Sequence, residues 1–119
     1  MPSQPVPNVS EEDVRRIALR DYGADKLFQV LSIIGEFGKQ SWNRSSPRVW
    51  LAILKLANGD MERLTEETRV AIEDYRDVLA PAEYPRYSRE IGFSSVPDQL
   101  ASAAIEADWA QYRAWLEGK

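Results

Sequence analysis

The chain has 119 residues, enough for one domain that buries a hydrophobic core without help from a metal ion or a disulfide. It contains no cysteine and no histidine, which excludes disulfides, thiolate metal sites and any nucleophile activated by histidine. Its formal charge of -4 argues against binding to nucleic acid, because phosphate-binding domains usually carry a basic surplus on one face.

The N-terminal segment is polar and rich in proline, so we expect residues 1–9 to form a flexible arm and residues 10–119 to form a single helical domain. No positive charge precedes an apolar run, which argues against a signal peptide. The most apolar segment, Leu27 to Phe37, is shorter than the ~18 residues that a membrane span needs. We therefore expect a cytoplasmic protein that uses no cofactor and binds no membrane.

Two helices are predicted in the first third of the chain. Ser10 is a hydroxyl cap followed by acidic residues, and the apolar stripe after it predicts a helix over about 16–22 that ends at Gly23. The second helix, over about 26–38, is apolar around nearly its whole circumference, which predicts burial on several sides. Gly35 and Gly38 indicate either a close helix crossing or fraying at its end, and low glycine helix propensity favours fraying.

The third and fourth helices are predicted as a hairpin. Ser46-Pro47 begins a helix over 47–58, and the tight Asn58-Gly59 connection precedes a helix over 61–79. Such a short connection places the two helices side by side and antiparallel. We expect Trp50 and Ile72 to lie on the faces that pack together.

The chain after Leu79 contains Pro81 and Pro85, which predicts irregular backbone before a last helix over 97–116 with Trp109 on its apolar stripe. The predicted fold class is therefore all-α: a single compact bundle of about five helices with a central αα-hairpin.

The segments Ala52-Ile-Leu-Lys-Leu-Ala57, Gly59-Asp60, Asp74-Tyr-Arg-Asp-Val-Leu79 and Ala82-Glu-Tyr-Pro85 together resemble a group of small, functionally uncharacterised bacterial proteins. The resemblance covers residues 46–86 and implies a bacterial source and an all-helical fold. Pro81 departs from the pattern, which has a bulky residue there. Because the group brings no assigned activity, the resemblance identifies no functional residue.

Acidic residues cluster around the end of the fourth predicted helix, at Glu73, Asp74, Asp77 and Glu83. Carboxylates three and four residues apart can converge on one side of a helix, and Mg²⁺ is bound by such groups in helical hydrolases. Those enzymes use a second acidic pair on another helix, which is not evident here. The favoured interpretation is a solvated face of helical ion pairs without a metal.

Aromatic and basic residues alternate in the next segment, at Tyr84, Arg86, Tyr87 and Arg89. This composition is typical of recognition surfaces, and these four residues are the candidate binding residues. The alternative is a structural lid in which the tyrosine rings cover an open end of the bundle. Trp42 and Trp115 are likewise candidates either for a self-association patch or for docking a loop and a chain end.

Three functions are compatible with these features. The favoured one is a protein-interaction or structural module that binds a protein partner or a second copy of itself. The alternatives are a hydrophobic small-molecule binder and a carboxylate-metal hydrolase that uses Mg²⁺. The favoured interpretation is not an enzyme, and the segment from residue 81 to 93 is its predicted contact surface.

Overall fold

The computed structural model describes residues 7–38, 46–90 and 98–118, and the regular elements of these segments are all helical. These described segments contain seven α-helices rather than the five predicted, because the predicted helix over 61–79 is divided in two and residues 85–90 form an additional helix. A single 3₁₀ turn, Ala24–Lys26, precedes the second helix. The α-helices are α1 (Glu11–Tyr22), α2 (Leu27–Ile34), α3 (Ser46–Ala57), α4 (Met61–Glu73), α5 (Arg76–Glu83), α6 (Pro85–Glu90) and α7 (Asp98–Glu117).

Helix α1 begins earlier than its apolar stripe suggested, at Glu11 rather than near residue 16. The Ser10 amide donates a 3.0 Å hydrogen bond to the Asp13 carboxylate, and the acidic first turn complements the helix dipole. The helix ends at Gly23, which adopts a φ of 84° that glycine tolerates at no steric cost. In the predicted arm, Pro7 is buried and Val9 packs against the core, while residues 1–6 lie outside the described residues.

Helix α2 is shorter than predicted and is not buried all round. It ends at Ile34 instead of continuing to residue 38, with Gly35 as its C-terminal cap. Val30 and Ile34 are buried, but the Phe28 side chain is 84% exposed. Phe28 therefore belongs to a solvent-facing side of α2 that the hydrophobic run concealed.

Helix α3 supplies much of the core and contacts α1, α4 and α5. It is joined to α4 by Asn58 and Gly59, which have φ values of 51° and 83°. The Asp60 carboxylate then accepts hydrogen bonds from the amides of Glu62 and Arg63, at 2.9 and 3.1 Å, and so caps α4. This local chemistry stops one helix and starts the next within three residues.

The predicted continuous helix over 61–79 is wrong, because α4 ends at Glu73 and the backbone at Asp74 is extended (φ -157°, ψ 103°). The Asp74 side chain accepts a hydrogen bond from the Arg76 amide at 3.1 Å, so a local turn starts a new helix there. The predicted irregular backbone after Leu79 is also wrong at residues 80–90, since α5 includes Pro81 and Pro85 opens α6. Pro81 and Asp77 are both exposed, so water can satisfy the carbonyl that Pro81 leaves without an amide partner.

Ile72 is not a core residue, contrary to prediction, because its side chain is 47% exposed. The α4 residues that face the core are Leu64, Thr68 and Ala71, which lie on the neighbouring stripe of the helix. Trp50 is half-buried, and its indole N–H donates to the Phe37 carbonyl at 3.1 Å.

The C-terminal helix α7 docks against the bundle through Tyr112, which is fully buried, while Trp109 is half-buried. Its last turn is held by α1. Arg20 donates hydrogen bonds to the carbonyls of Trp115 at 2.6 Å and Gly118 at 2.9 Å, and its guanidinium lies 5.4 Å from the Trp115 ring. Trp115 thus helps to fix a chain end, whereas Trp42 lies outside the described residues.

Candidate functional site

The predicted recognition segment is packed onto the domain rather than extended from it. Tyr84 lies between α5 and α6, and its ring contacts that of Tyr87 edge to face at a centroid distance of 6.3 Å. Both tyrosines are half-buried, and burial raises the pKa of the Tyr84 phenol. Arg86 is exposed, and Arg89 lies on α6 with a side chain outside the described part. The two rings are partly withdrawn from solvent, and Arg86 is the exposed residue among those with described side chains.

Asp108 of α7 fixes the start of α6. Its carboxylate is buried and accepts hydrogen bonds from the amides of Arg86 at 3.0 Å and Tyr87 at 2.8 Å. These are the first two backbone N–H groups of α6, because Pro85 has none, and neither has an acceptor within the helix. The residue before Pro85 is a tyrosine, whose side chain is not a capping group. Sequence reasoning missed Asp108, because a cap that comes from a helix more than 20 residues away leaves no local signal.

A buried ion pair joins α3 to α5. Arg48 donates from Nε and Nη2 to the two carboxylate oxygens of Glu83, at 2.7 and 2.6 Å. These hydrogen bonds to the Glu83 carboxylate raise the pKa of Arg48 and hold it charged. The Glu83 side chain is 4% exposed. Both oxygens of this predicted metal ligand accept hydrogen bonds from the Arg48 guanidinium instead.

The other acidic candidates are also dispersed by the fold. Asp74 accepts hydrogen bonds from the Arg76 guanidinium, which lower the pKa of the Asp74 carboxyl, and Asp77 is exposed in the first turn of α5. Glu73 pairs with Arg69 at 2.9 Å. The helix break at Asp74 removes the continuous helical spacing on which the metal hypothesis depended. Within residues 7–38, 46–90 and 98–118, no group of three acidic side chains could hold a metal ion.

Exposed apolar side chains lie on α2, on α4 and just after α4. Phe28 of α2 is 84% exposed, Ile72 of α4 is 47% exposed and Tyr75 is 45% exposed. Ile72 also lines a groove of about 430 Å³, whose other lining residues are Ser32 and Ile33 of α2, Glu36 just after it, and Thr65, Thr68 and Arg69 of α4. Phe28 lies one turn before Ser32 on the same face of α2. We call Phe28, Ile72, Tyr75 and this groove the α2–α4 surface.

The sequence contained a signal for this surface that the hydrophobic run of α2 obscured. Positions 28, 32 and 36 recur at four-residue spacing, and two of the three, Ser32 and Glu36, are polar. On α4 the corresponding stripe is Thr65, Arg69 and Ile72, which also mixes polar and apolar residues. An aromatic residue on an otherwise polar stripe is expected to face solvent.

Ion pairs border the α4 side of this surface. The Arg69 guanidinium pairs with both Glu66 and Glu73, and the hydrogen bond from Arg69 lowers the pKa of the Glu66 carboxyl. All three side chains are more than half exposed. One guanidinium between two carboxylates leaves a net negative charge along this edge.

A second concave region lies between α1, α2 and α3. It is a cleft of about 410 Å³ with an apolar lining from Leu31, Ile34 and Trp50 and a charged rim from Glu11, Glu12 and Arg15. An apolar lining with a few polar groups at the mouth is typical of sites for small organic molecules.

Comparison with protein families, with curated proteins and with solved structures gives no match for this chain. The resemblance of residues 46–86 to small bacterial proteins stays a prediction. No helix in the described segments is long and apolar enough to cross a membrane.

Proposed function

We propose that the protein is an interaction module that binds another polypeptide through the α2–α4 surface. The observation that carries the proposal is the exposure of Phe28, whose side chain is 84% exposed, whereas Phe37 just beyond the same helix is 1% exposed. Exposing a large aromatic side chain forgoes the roughly 1.5–3 kcal/mol that its burial contributes. Exposed apolar side chains beside a groove are typical of protein contacts.

The proposal moves the contact surface away from the predicted segment of Tyr84, Arg86, Tyr87 and Arg89. In that segment the described tyrosine rings are half-buried against the domain, and Asp108 holds the backbone of α6. Phe28, Ile72 and Tyr75 offer more apolar area to a partner without unfolding any element.

The experiment is a measurement of the protein's size in extracts of its native host. The parent is expected to elute as a complex larger than its 13.6 kDa chain, and Phe28→Glu is expected to elute as the free chain. Leu19→Glu is the matched control, because Leu19 is also apolar and 45% exposed but lies on α1, which contributes no residue to the groove. Identical elution of the parent and Phe28→Glu would contradict the proposal.

A second candidate function, binding of a hydrophobic small molecule, is favoured by the cleft at Leu31, Ile34 and Trp50. Trp50 reports on this cleft, because its indole is part of the lining. An apolar fluorescent dye titrated into the protein is expected to bind there with saturation and to lose affinity in Ile34→Ser. Equal dye binding by that variant would exclude the cleft as the site.

A further inference from the structure

The α2–α4 surface contains a groove between two helices that contact each other. Ser32 and Thr65 both line the groove, and shortly after the C-terminal ends of the two helices the Phe37 and Tyr75 rings lie 6.5 Å apart. A groove with short side chains between two neighbouring helices can bind the apolar face of a third helix. The serine and threonines lining the groove leave room for a larger side chain of that helix to enter.

The charge of α4 and of the turn that follows it selects among possible occupants. Between residues 61 and 77 the sequence has six acidic and three basic residues, an acidic surplus of three. Each of the three arginines already lies beside a carboxylate: Arg63 beside Glu67, Arg69 beside Glu66 and Glu73, and Arg76 beside Asp74. The surplus therefore remains for a partner to neutralise.

A second copy of this chain fits the surface poorly. Two copies that met face to face through the α2–α4 surface would bring two acidic borders together, and the whole chain carries a formal charge of -4. A bilayer of anionic lipid would be repelled for the same reason.

We infer that the α2–α4 surface binds a basic amphipathic helix of another protein, an inference that rests on the interaction function proposed above. The apolar stripe of that helix packs on Phe28 and Ile72, and its lysine or arginine residues meet the carboxylates of Glu66 and Glu73. Apolar contact supplies the affinity, and charge selects the partner.

The test is fluorescence anisotropy with three labelled synthetic peptides of roughly 18 residues, long enough to form a helix. The first has a leucine stripe at helical spacing with lysine elsewhere, the second replaces every lysine by glutamate, and the third scrambles the first so that no stripe remains. The lysine peptide is expected to bind the parent at least about tenfold more tightly than the other two.

Two variants of the protein locate the binding. Phe28→Glu is expected to weaken the lysine peptide about tenfold or more, whereas Leu19→Glu leaves its affinity unchanged. The double variant Glu66→Lys/Glu73→Lys is expected to reverse the preference, so that the glutamate peptide binds more tightly than the lysine peptide. Both changes are at exposed positions, so the fold is retained, and circular dichroism verifies this.

Three results would overturn the inference. Equal binding of the lysine peptide to the parent and to Phe28→Glu would show attraction by net charge alone. Equal binding of the lysine and glutamate peptides would show that charge does not select the partner. Dimerisation of the purified protein that Phe28→Glu abolishes would make a second copy the occupant. If the complex in host extracts depends on Phe28 but none of the peptides binds, the inference fails while the proposed interaction function stands.

Discussion

Arg48 and Glu83, which are 35 residues apart in the sequence, form a two-point ion pair with N–O distances of 2.7 and 2.6 Å. The pair connects the first turn of α3 to the last residue of α5, and the Glu83 carboxylate is almost fully withdrawn from water. A carboxylate in this environment needs its cationic partner, because an unpaired buried charge is costly. Glu83 therefore has a structural role that the acidic cluster in the sequence did not suggest.

Replacing Glu83 by alanine is expected to lower the free energy of unfolding by about 3 kcal/mol, because the half-buried guanidinium of Arg48 loses both carboxylate oxygens. Glu73→Ala is the matched control. It breaks an exposed pair with Arg69 and is expected to cost about 0.5 kcal/mol or less. Urea denaturation of the three proteins measures both values, and equal losses in the two variants would contradict the structural role of Glu83.

Asp108→Ala is expected to release the start of α6, because the amides of Arg86 and Tyr87 lose their acceptor in a buried place. The expected loss of stability is about 1–3 kcal/mol. The specific readout is hydrogen exchange, which should accelerate at these two amides more than at the α4 amides bonded to Asp60. Asp108→Asn keeps one acceptor oxygen and should fall between the parent and Asp108→Ala. Unchanged exchange at both amides would show that Asp108 does not hold α6.

Tyr22 makes the stability of the fold sensitive to alkaline pH. Burial, and secondarily the charge of Asp21, raise the pKa of its phenol from 10.0 to about 12, and the hydroxyl donates to the Asp60 carbonyl at 3.3 Å. Below pH 10 the phenol is neutral in both states, so its full contribution is present. As the pH rises from 10 to about 12 the unfolded chain ionises first, and this contribution is lost.

Tyr22→Phe cannot ionise at this position, so its free energy of unfolding should fall less than that of the parent over the same pH interval. The measurement is denaturation at several pH values from ~9 to ~12, an interval that includes the ordinary and the raised pKa of the Tyr22 phenol. Parallel pH curves for the two proteins would show that Tyr22 titrates normally in the folded state.

Gly59→Val is expected to destabilise the protein by about 1–2 kcal/mol, because a residue with a Cβ pays a steric penalty at a φ of 83°. Space is not the reason, since the nearest atom to an added Cβ is the Asp21 carbonyl oxygen at 3.4 Å. Gly59→Asn separates the two causes, because asparagine tolerates this backbone conformation better and should cost less. Thermal unfolding of both variants measures the difference, and equal losses would argue against backbone strain.

Local signals in the sequence predicted the helical class and several helix ends correctly. Gly23 ends α1, Asp60 caps α4 and the last helix lies within one residue of its expected bounds, at 98–117 against 97–116. Each of these features depends on residues adjacent in the chain, such as a carboxylate that accepts from amides two and three positions later.

Features that depend on distant residues were not predictable in this way. The break at Asp74 interrupts a pattern whose apolar spacing continues to Leu79, and the helix at 85–90 relies on Asp108 from another element. Ile72 and Phe28 are hydrophobic but exposed in the fold. Which side of a helix is buried depends on how the helix packs against its neighbours, which the local sequence does not determine. For this reason the sequence alone predicts a contact surface at Tyr84–Arg89, whereas the exposures in the fold lead to the surface proposed on α2 and α4.

The most direct test of an interaction through the α2–α4 surface is site-specific photo-cross-linking in the native host. A photoreactive phenylalanine analogue is introduced at position 28 in one protein and at position 19 in another, since both positions are exposed. The account predicts a discrete adduct with another polypeptide from position 28, which is lost when Ile72→Glu is added, and no such adduct from position 19. Equal cross-linking from both positions, or an adduct from position 28 that persists in Ile72→Glu, would contradict it.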